Sequence, residues 1–588
     1  MKKTLILFIS LSYGLFAFGV QKPNIINVKD YGVLPGKIDC TPGLLKALEA
    51  CKKSENAELI FPSGEYHFYP DFGVDKYYFV SNNDEGLKRI VFHLENFKNL
   101  TIDGHNSSFI FHGFVNPFVV DNSGNITFKN FSVDCSRTFH NEAIILANNP
   151  DGIDVEIPEN FPFRVINGVL LFTDGTSDDG PKTTVSKSSL YPYTSLLEFD
   201  SKKRETAFMV YDYYLNGVPL VAKSLGGRKV RIYLEGLKGT VGNIMTFGAA
   251  TRNYPGFILT NSSDIVFNNI TIHHTGGMGI IGQRTHNILV NKCKVTPSQG
   301  RVISCTADAT HFVNCTGKIE ISHCLFENQK DDATNIHGIY VQITKKIAAN
   351  EAIVQLKHSQ QLGFDFLVKN AKVEFVKGKS LITKGYATVK NARRINKDFT
   401  QVVFSSDIPA GIAEGDAVAE VIEYPEIYIH NNTIQKNRAR GMLLNCRGKT
   451  IVDNNYFHSP GAALLFEGDA SYWFEQGGVT NCTISNNIFE NCLFGVWGKA
   501  VIDVAAGIHE DKETSRYNRN IQIYGNTFRI FDDVLLLNLY GVDGLVWKNN
   551  KIERTTAYPV IHKSISLFKI EHSNNIEITD KYFQHSKP

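Results

Sequence analysis

The sequence predicts an all-β chain: a right-handed parallel β-helix, a solenoid of coils about 23 residues long, carrying two small inserted β-barrel-like subdomains. Three observations predict it. An eight-residue motif recurs, its last apolar residue returns at a near-constant interval, and two stretches lack the motif while keeping strand-like runs.

The motif is two alternating apolar residues, an Asn-rich polar pair and a further apolar residue. It reads Ile265-Val266-Phe267-Asn268-Asn269-Ile270-Thr271-Ile272 and recurs at 288–295, 319–326, 427–434, 450–457, 482–489, 521–528 and 545–552. The closing residues Ile272 and Val295 lie 23 apart, Ile434 and Phe457 also 23, and Phe528 and Ile552 24; longer steps add a loop to a coil. Short alternating strands at that period stack coil on coil at about 4.8 Å. Apolar side chains then point inward and polar ones outward. Two residues before the closing position stand Asn432, Asn455, Asn487, Asn526 and Asn550. In register they form an asparagine ladder, each amide bonding its neighbour and the backbone at the turn. Cys293 and Cys324 hold the same column in earlier coils, as small ladder residues with a disulfide open to them in an oxidising compartment.

Along the chain, Met1-Lys2-Lys3, an apolar run from Thr4 to Phe16 and the small residues Ala17 and Gly19 mark 1–19 as a signal peptide. The mature protein is therefore expected to be exported, periplasmic or extracellular. No Cys stands at the cleavage point, and no later segment suits a membrane span. Coils are expected at 20–135, a first inserted β subdomain at 136–250, central coils at 251–340, a second insertion at 341–420 and the last coils at 421–588. Runs such as Lys229 to Leu234 and Ala352 to Leu356 supply the insertions' antiparallel strands.

Composition narrows function. The net charge of +2 comes from 61 basic and 59 acidic side chains with no long basic run, which argues against nucleic acid as a partner. None of the ten cysteines forms a CxxC pair, so neither a zinc site nor a disulfide scaffold is indicated, and no cofactor or metal is expected.

The opening Val28-Lys29-Asp30-Tyr31-Gly32-Val33, followed by Phe61-Pro62-Ser63-Gly64-Glu65-Tyr66, resembles the first coil of pectin-degrading β-helix enzymes, a likeness of fold and not of chemistry. Sharper is Gln299-Gly300-Arg301-Val302-Ile303-Ser304, then Thr306 to Phe312 around Asp308, then Asp331-Asp332-Ala333-Thr334-Asn335-Ile336-His337-Gly338. This resembles glycoside hydrolase family 110, the exported bacterial α-1,3-galactosidases, over essentially the whole chain. The resemblance implies an inverting exo-hydrolase that removes terminal α-1,3-linked galactose from blood group B-type and linear glycans. It carries the catalytic positions over to Asp308, Asp331 and Asp332.

Those residues suit the chemistry independently. Asp331 follows Asp308 by 23 residues, one coil, so the two are expected to stack, with Asp332 brought in by a bend. Like charge raises at least one pKa and supplies an acid at neutral pH. Inversion also needs a carboxylate holding water, roughly 6.5–9.5 Å from the acid. By analogy with polygalacturonases, Asp331 is the acid while Asp308 and Asp332 position water. Four further residues are candidates for substrate binding. His337 can bond a galactose hydroxyl, tune an aspartate, or serve the turn alone. Arg301 can clamp a hydroxyl or an aspartate, or be a plain surface arginine. Trp473, with Glu467 and Asp469 nearby, can stack on galactose or anchor its loop. The competing readings are a polygalacturonase-like hydrolase, disfavoured because Arg394-Ile395-Asn396 lacks the Arg-Ile-Lys of that family, and a non-catalytic carbohydrate-binding β-helix.

Overall fold

A computed structural model describes residues 22–84, 86–175, 189–562 and 566–580. The segment 1–19, read above as a signal peptide, lies outside them. No helix among the described residues is long and apolar enough to cross a membrane.

The chain winds a parallel β-helix. One parallel sheet of 21 strands runs from Asn24–Asn27 to Asn574–Ile578. Most coils after the first insertion add two short strands to it, such as Glu426–His430 and Thr433–Gln435, divided by an Asn pair. The pairing is in register: Ile434 lies beside Phe457, and Phe457 beside Phe489. A second parallel stack faces it, made of Phe257–Thr260, Ile280–Gln283, Thr310–Val313, the start of Thr334–Ala348, Met442–Leu444 and Leu464–Phe466. Between them Phe457, Phe489, Phe528 and Trp547 stack ring on ring, with centroids 4.9–5.2 Å apart. A single α-helix among the described residues, Thr41–Lys52, buries Leu44, Ala47, Leu48 and Cys51 in the core beside the first coil.

The asparagine ladder is physical. The Oδ1 of Asn455 accepts from the backbone N and the Nδ2 of Asn432 at 3.0 and 2.9 Å. The same double bond links Asn455 to Asn487, Asn487 to Asn526 and Asn526 to Asn550. The residue before each member adopts the left-handed conformation: Asn431, Asn454, Asn486, Gly525 and Asn549, with φ between 53° and 69°. Asn and Gly tolerate that turn better than other residues, which explains why the motif carries a pair. Upstream the ladder passes to Cys324, whose N donates to Asn432 Oδ1 at 2.8 Å. The disulfide left open for Cys293 and Cys324 does not form. Both are buried free thiols, and their Sγ atoms bond carbonyl oxygens of Asn291, Val290 and Ser322.

Both insertions are antiparallel and have apolar cores of their own. The first forms one sheet from Asn141–Asn149 to Ile244–Ala249. The second closes on itself: the far end of Thr334–Ala348 pairs with Glu351–Gln355, and the ring continues through Phe399–Phe404, Thr383–Arg394, Lys372–Val376 and Ala417–Glu420 back to its start. They leave the solenoid on either side of the coils that carry Asp308 and Asp331.

Candidate active site

The site is built from one bend repeated in three successive coils, each just before a strand of the second stack. Thr310 pairs with Thr334 and Thr334 with Met442, so the column two residues earlier holds Asp308, Asp332 and Arg440. Backbone bonds fasten it: Ala309 N donates to Asp332 O at 2.9 Å, and Ala333 N to Gly441 O at 2.7 Å. The residue stacked on Asp308 is thus Asp332, not Asp331 as the 23-residue interval suggested, because the bend adds one residue to the coil. Asp332 N also donates to Asp308 Oδ1 at 3.2 Å. Asp331 projects beside the column, and one oxygen from each of the three carboxylates lies within 4.8 Å of the others. That is closer than the separation expected from sequence.

Charge is distributed unequally over the trio. Asp331 meets three guanidiniums: Arg252 at 2.8 Å, Arg438 at 3.4 Å and Arg440 at 3.5 Å. Although its burial opposes ionisation, these cations hold its carboxyl below the usual range. Arg440 grips Asp332 through two bonds of 2.9 and 2.8 Å. Burial still pushes Asp332 up to about 8, with Asp331 and Asp308 adding like charge. Among the described residues no guanidinium bonds Asp308, and burial with the charge of Asp331 pushes it up to about 8 as well.

The imidazoles beside Asp308 fix where a proton sits. Its Oδ2 lies 2.5 Å from His311 Nδ1, His311 Nε2 lies 2.9 Å from His337 Nε2, and His337 Nδ1 lies 2.6 Å from the carbonyl of Gly338. Burial lowers both imidazole pKa values, that of His311 to about 4, so both rings are neutral. A carbonyl only accepts, so His337 donates from Nδ1 and His311 from Nε2. The lone pair of His311 Nδ1 then faces Asp308, whose oxygen carries the proton of that bond. A carboxylate trio could attract a hard divalent cation, but Arg252 and Arg440 already neutralise two of its members.

The trio lines a cavity of about 490 Å³ with Arg252, Arg440, His311, Asn335, Asn82, Glu467, Asp469, Trp473 and Glu475. Glu467 and Trp473 therefore reach the site with the aspartates. Both come from the loop after strand Leu464–Phe466, where Asp469 accepts from the backbone N of Ser471, Tyr472 and Trp473 and fixes the indole at the rim. His337 does not line the cavity: it is buried behind His311 and touches the trio only through that ring. Arg301 also stays outside. It is buried with its Nη2 on both oxygens of Asp134, at 2.7 and 2.6 Å, and on Ser298. An arginine so engaged braces the coil wall.

Sequence reading missed the arginines. Arg440 lies 108 residues from Asp332, and the second insertion hides their one-coil relation. Arg252 enters from the exit of the first insertion. Glu475 bonds Asn82 and Asn335 at 3.1 and 3.4 Å, tying together three parts of the chain that no local motif links.

Comparison with known proteins accords with this architecture. Residues 141–245 match the family description GLAA-B beta-barrel domain I, 351–418 match GLAA-B beta-barrel domain II, and 419–587 match a right-handed beta helix region. The chain is 35% identical over 575 residues to alpha-1,3-galactosidase A of Shewanella woodyi, covering 96% of this chain and 92% of that one. It is 30% identical over 618 residues to alpha-1,3-galactosidase B of Phocaeicola vulgatus, covering 99% and 98%. Alpha-1,3-galactosidase A of Bacteroides fragilis is 26% identical over 97% of the chain. With full-length relatives of that kind and both barrel domains in place around the solenoid, the chain belongs to glycoside hydrolase family 110, the family of the α-1,3-galactosidases A and B.

Proposed function

We propose that the protein is an exo-acting α-1,3-galactosidase that removes terminal galactose from blood group B-type and linear glycans with inversion at the anomeric carbon. The observation that carries this reading is the carboxylate trio lining one cavity together with Arg252 and Arg440. The loop from Glu467 to Glu475 walls that cavity, which suits a chain end rather than a through-running polysaccharide. The two arginines that line it, Arg252 and Arg440, are already paired with Asp331 and Asp332, so the site suits a neutral sugar and not a uronic acid. Such glycans lie outside the cytoplasm, in keeping with export directed by residues 1–19.

Asp331 is the proton donor to the leaving oxygen, and Asp308 with Asp332 holds the attacking water. Position and charge disagree on this point. Asp331 and Arg252 form a wall shared with a second cavity, where a bond leaving the first would cross. Yet its arginines keep Asp331 ionised while the cluster's proton rests on Asp308 and Asp332. Reach takes precedence over resting charge. A substrate crossing the wall parts Asp331 from Arg252, and a proton from a carboxyl within 4.8 Å replaces the lost cation.

The short spacing favours a second reading, retention through an aspartyl-galactose intermediate, for which carboxyl groups stand about 5–5.5 Å apart. Both readings use the same three carboxyl groups and differ in whether water or a carboxylate oxygen attacks the anomeric carbon. Proton NMR of early product decides: β-galactose is expected from galactosyl-α-1,3-galactose, and α-galactose appearing first would establish retention. Release of no galactose from any α-1,3-linked galactoside would remove the assignment.

A further inference from the structure

Lys88 has no surface in contact with solvent. It stands in strand Gly86–Glu95, which joins the stack of Phe257–Thr260 through Asn116–Asp121, and it lines neither of the two cavities. Burying a charged ammonium is costly unless hydrogen bonds replace the water it loses. Here four oxygens do so: Asn83 Oδ1 and Asn253 O at 2.8 Å, Asp84 O at 3.2 Å and Asn253 Oδ1 at 3.3 Å. Burial lowers the Lys88 pKa only to about 8, so the ammonium keeps its charge at neutral pH.

These acceptors belong to two segments remote in sequence, residues 83–84 and residue 253, and Arg252 is held between them. Arg252 N donates to Asp84 Oδ2 at 2.5 Å, and its carbonyl accepts from Asn83 Nδ2. The backbone of Arg252 is therefore fixed by the same residues that hold the ammonium. From there its guanidinium reaches Asp331 at 2.8 Å. Asn82, beside the anchored pair, lines the active-site cavity and donates to Glu475 at 3.1 Å. An apolar side chain at position 88 could fill the space but could not join the two segments.

We propose that Lys88 is a positioning residue for galactoside cleavage: by tying residues 83–84 to residue 253 it aims the guanidinium of Arg252 at Asp331. This role rests on the trio's reading as a galactoside-cleaving site. In that reading Arg252 pairs with Asp331 at rest and parts from it when substrate crosses the wall. Its side chain must then move while its backbone stays in place, and Lys88 holds the backbone.

The test is a double-mutant cycle on kcat for galactosyl-α-1,3-galactose, with the fold of each variant checked by near-UV circular dichroism. A group displaced by about 1 Å can cost about 10²-fold, so Lys88→Met, which keeps the stem and removes the donors, is expected to lower kcat about 10–100-fold. Arg252→Ala should lower it too. Adding Lys88→Met to Arg252→Ala should then cost less than about threefold more, because the group that Lys88 positions is already gone. A lysine that only stabilises the fold would give losses that multiply. Asn83→Ala leaves the ammonium its other acceptors but frees the Arg252 carbonyl. It cuts the same path and should show the same non-additivity, so the question stays answerable if Lys88→Met does not fold. With an active parent, a folded Lys88→Met within about threefold of it, or losses that multiply with Arg252→Ala, would overturn the inference alone. Release of no galactose by the parent would overturn the galactosidase reading as well.

Discussion

Replacing Asn455 with Ala probes the force that fixes the register of the coils. Asn455 Oδ1 is the acceptor for the buried backbone N of Asn432, and its two Nδ2 protons are shared among Ile429 O, Asp453 O and Asn487 Oδ1, each at 3.0 Å. Alanine strands the Asn432 N–H in the interior and deletes the bonds of both Nδ2 protons. Asn432 Nδ2 keeps Ile321 O, and Asn487 Oδ1 keeps the Asn455 backbone N, so those groups remain paired. One stranded buried donor costs about 1–3 kcal/mol and each lost bond a net of about 0.5–1.5, for a destabilisation of about 2–6 kcal/mol. Guanidinium unfolding followed by the fluorescence of Trp547, buried in the same C-terminal coils and stacked on Phe528, reports it. A midpoint shift equivalent to less than about 0.5 kcal/mol would refute the reasoning, because the ladder would then add nothing beyond what solvation of a turn provides.

Two further predictions concern the chemistry. Asp331→Asn should lose about 10²–10⁴-fold on a disaccharide and less on an aryl galactoside, whose leaving group departs with little protonation; if Asp308→Asn shows that dependence instead, Asp308 is the acid. The rate should also fall as pH rises through about 8, where the cluster loses its proton from Asp308 and Asp332. The sign for stability is the same: both carboxyls are raised above their unfolded value of 3.8, so their contribution is complete below that value and is lost as pH rises through about 8. A kcat/KM profile flat from pH 7 to 10 would refute the assignment of a proton to the trio.

The solenoid was legible because its signal is periodic and local. A motif such as Ile427 to Ile434 contains its own strands, its turn and its ladder Asn, and the same code is repeated in each coil. The trio was legible for a similar reason, since only one coil separates Asp308 from the Asp331-Asp332 doublet. Even there the interval misled by one residue, because strand pairing and not sequence distance sets the register at a bend: Thr310 pairs with Thr334.

By itself, then, the sequence determined the parallel β-helix, the asparagine column and the three aspartates, all of which are written within a coil or between adjacent coils. Only the tertiary structure decided what surrounds them. Arg252 and Arg440 arrive from the far sides of the two insertions, Glu475 and Trp473 from a later loop, and Arg301 turns away to Asp134. Ionisation, cavity shape and proton placement depend on such through-space neighbours, and Coulomb interaction and burial act over distances of a few ångströms regardless of how many residues lie between.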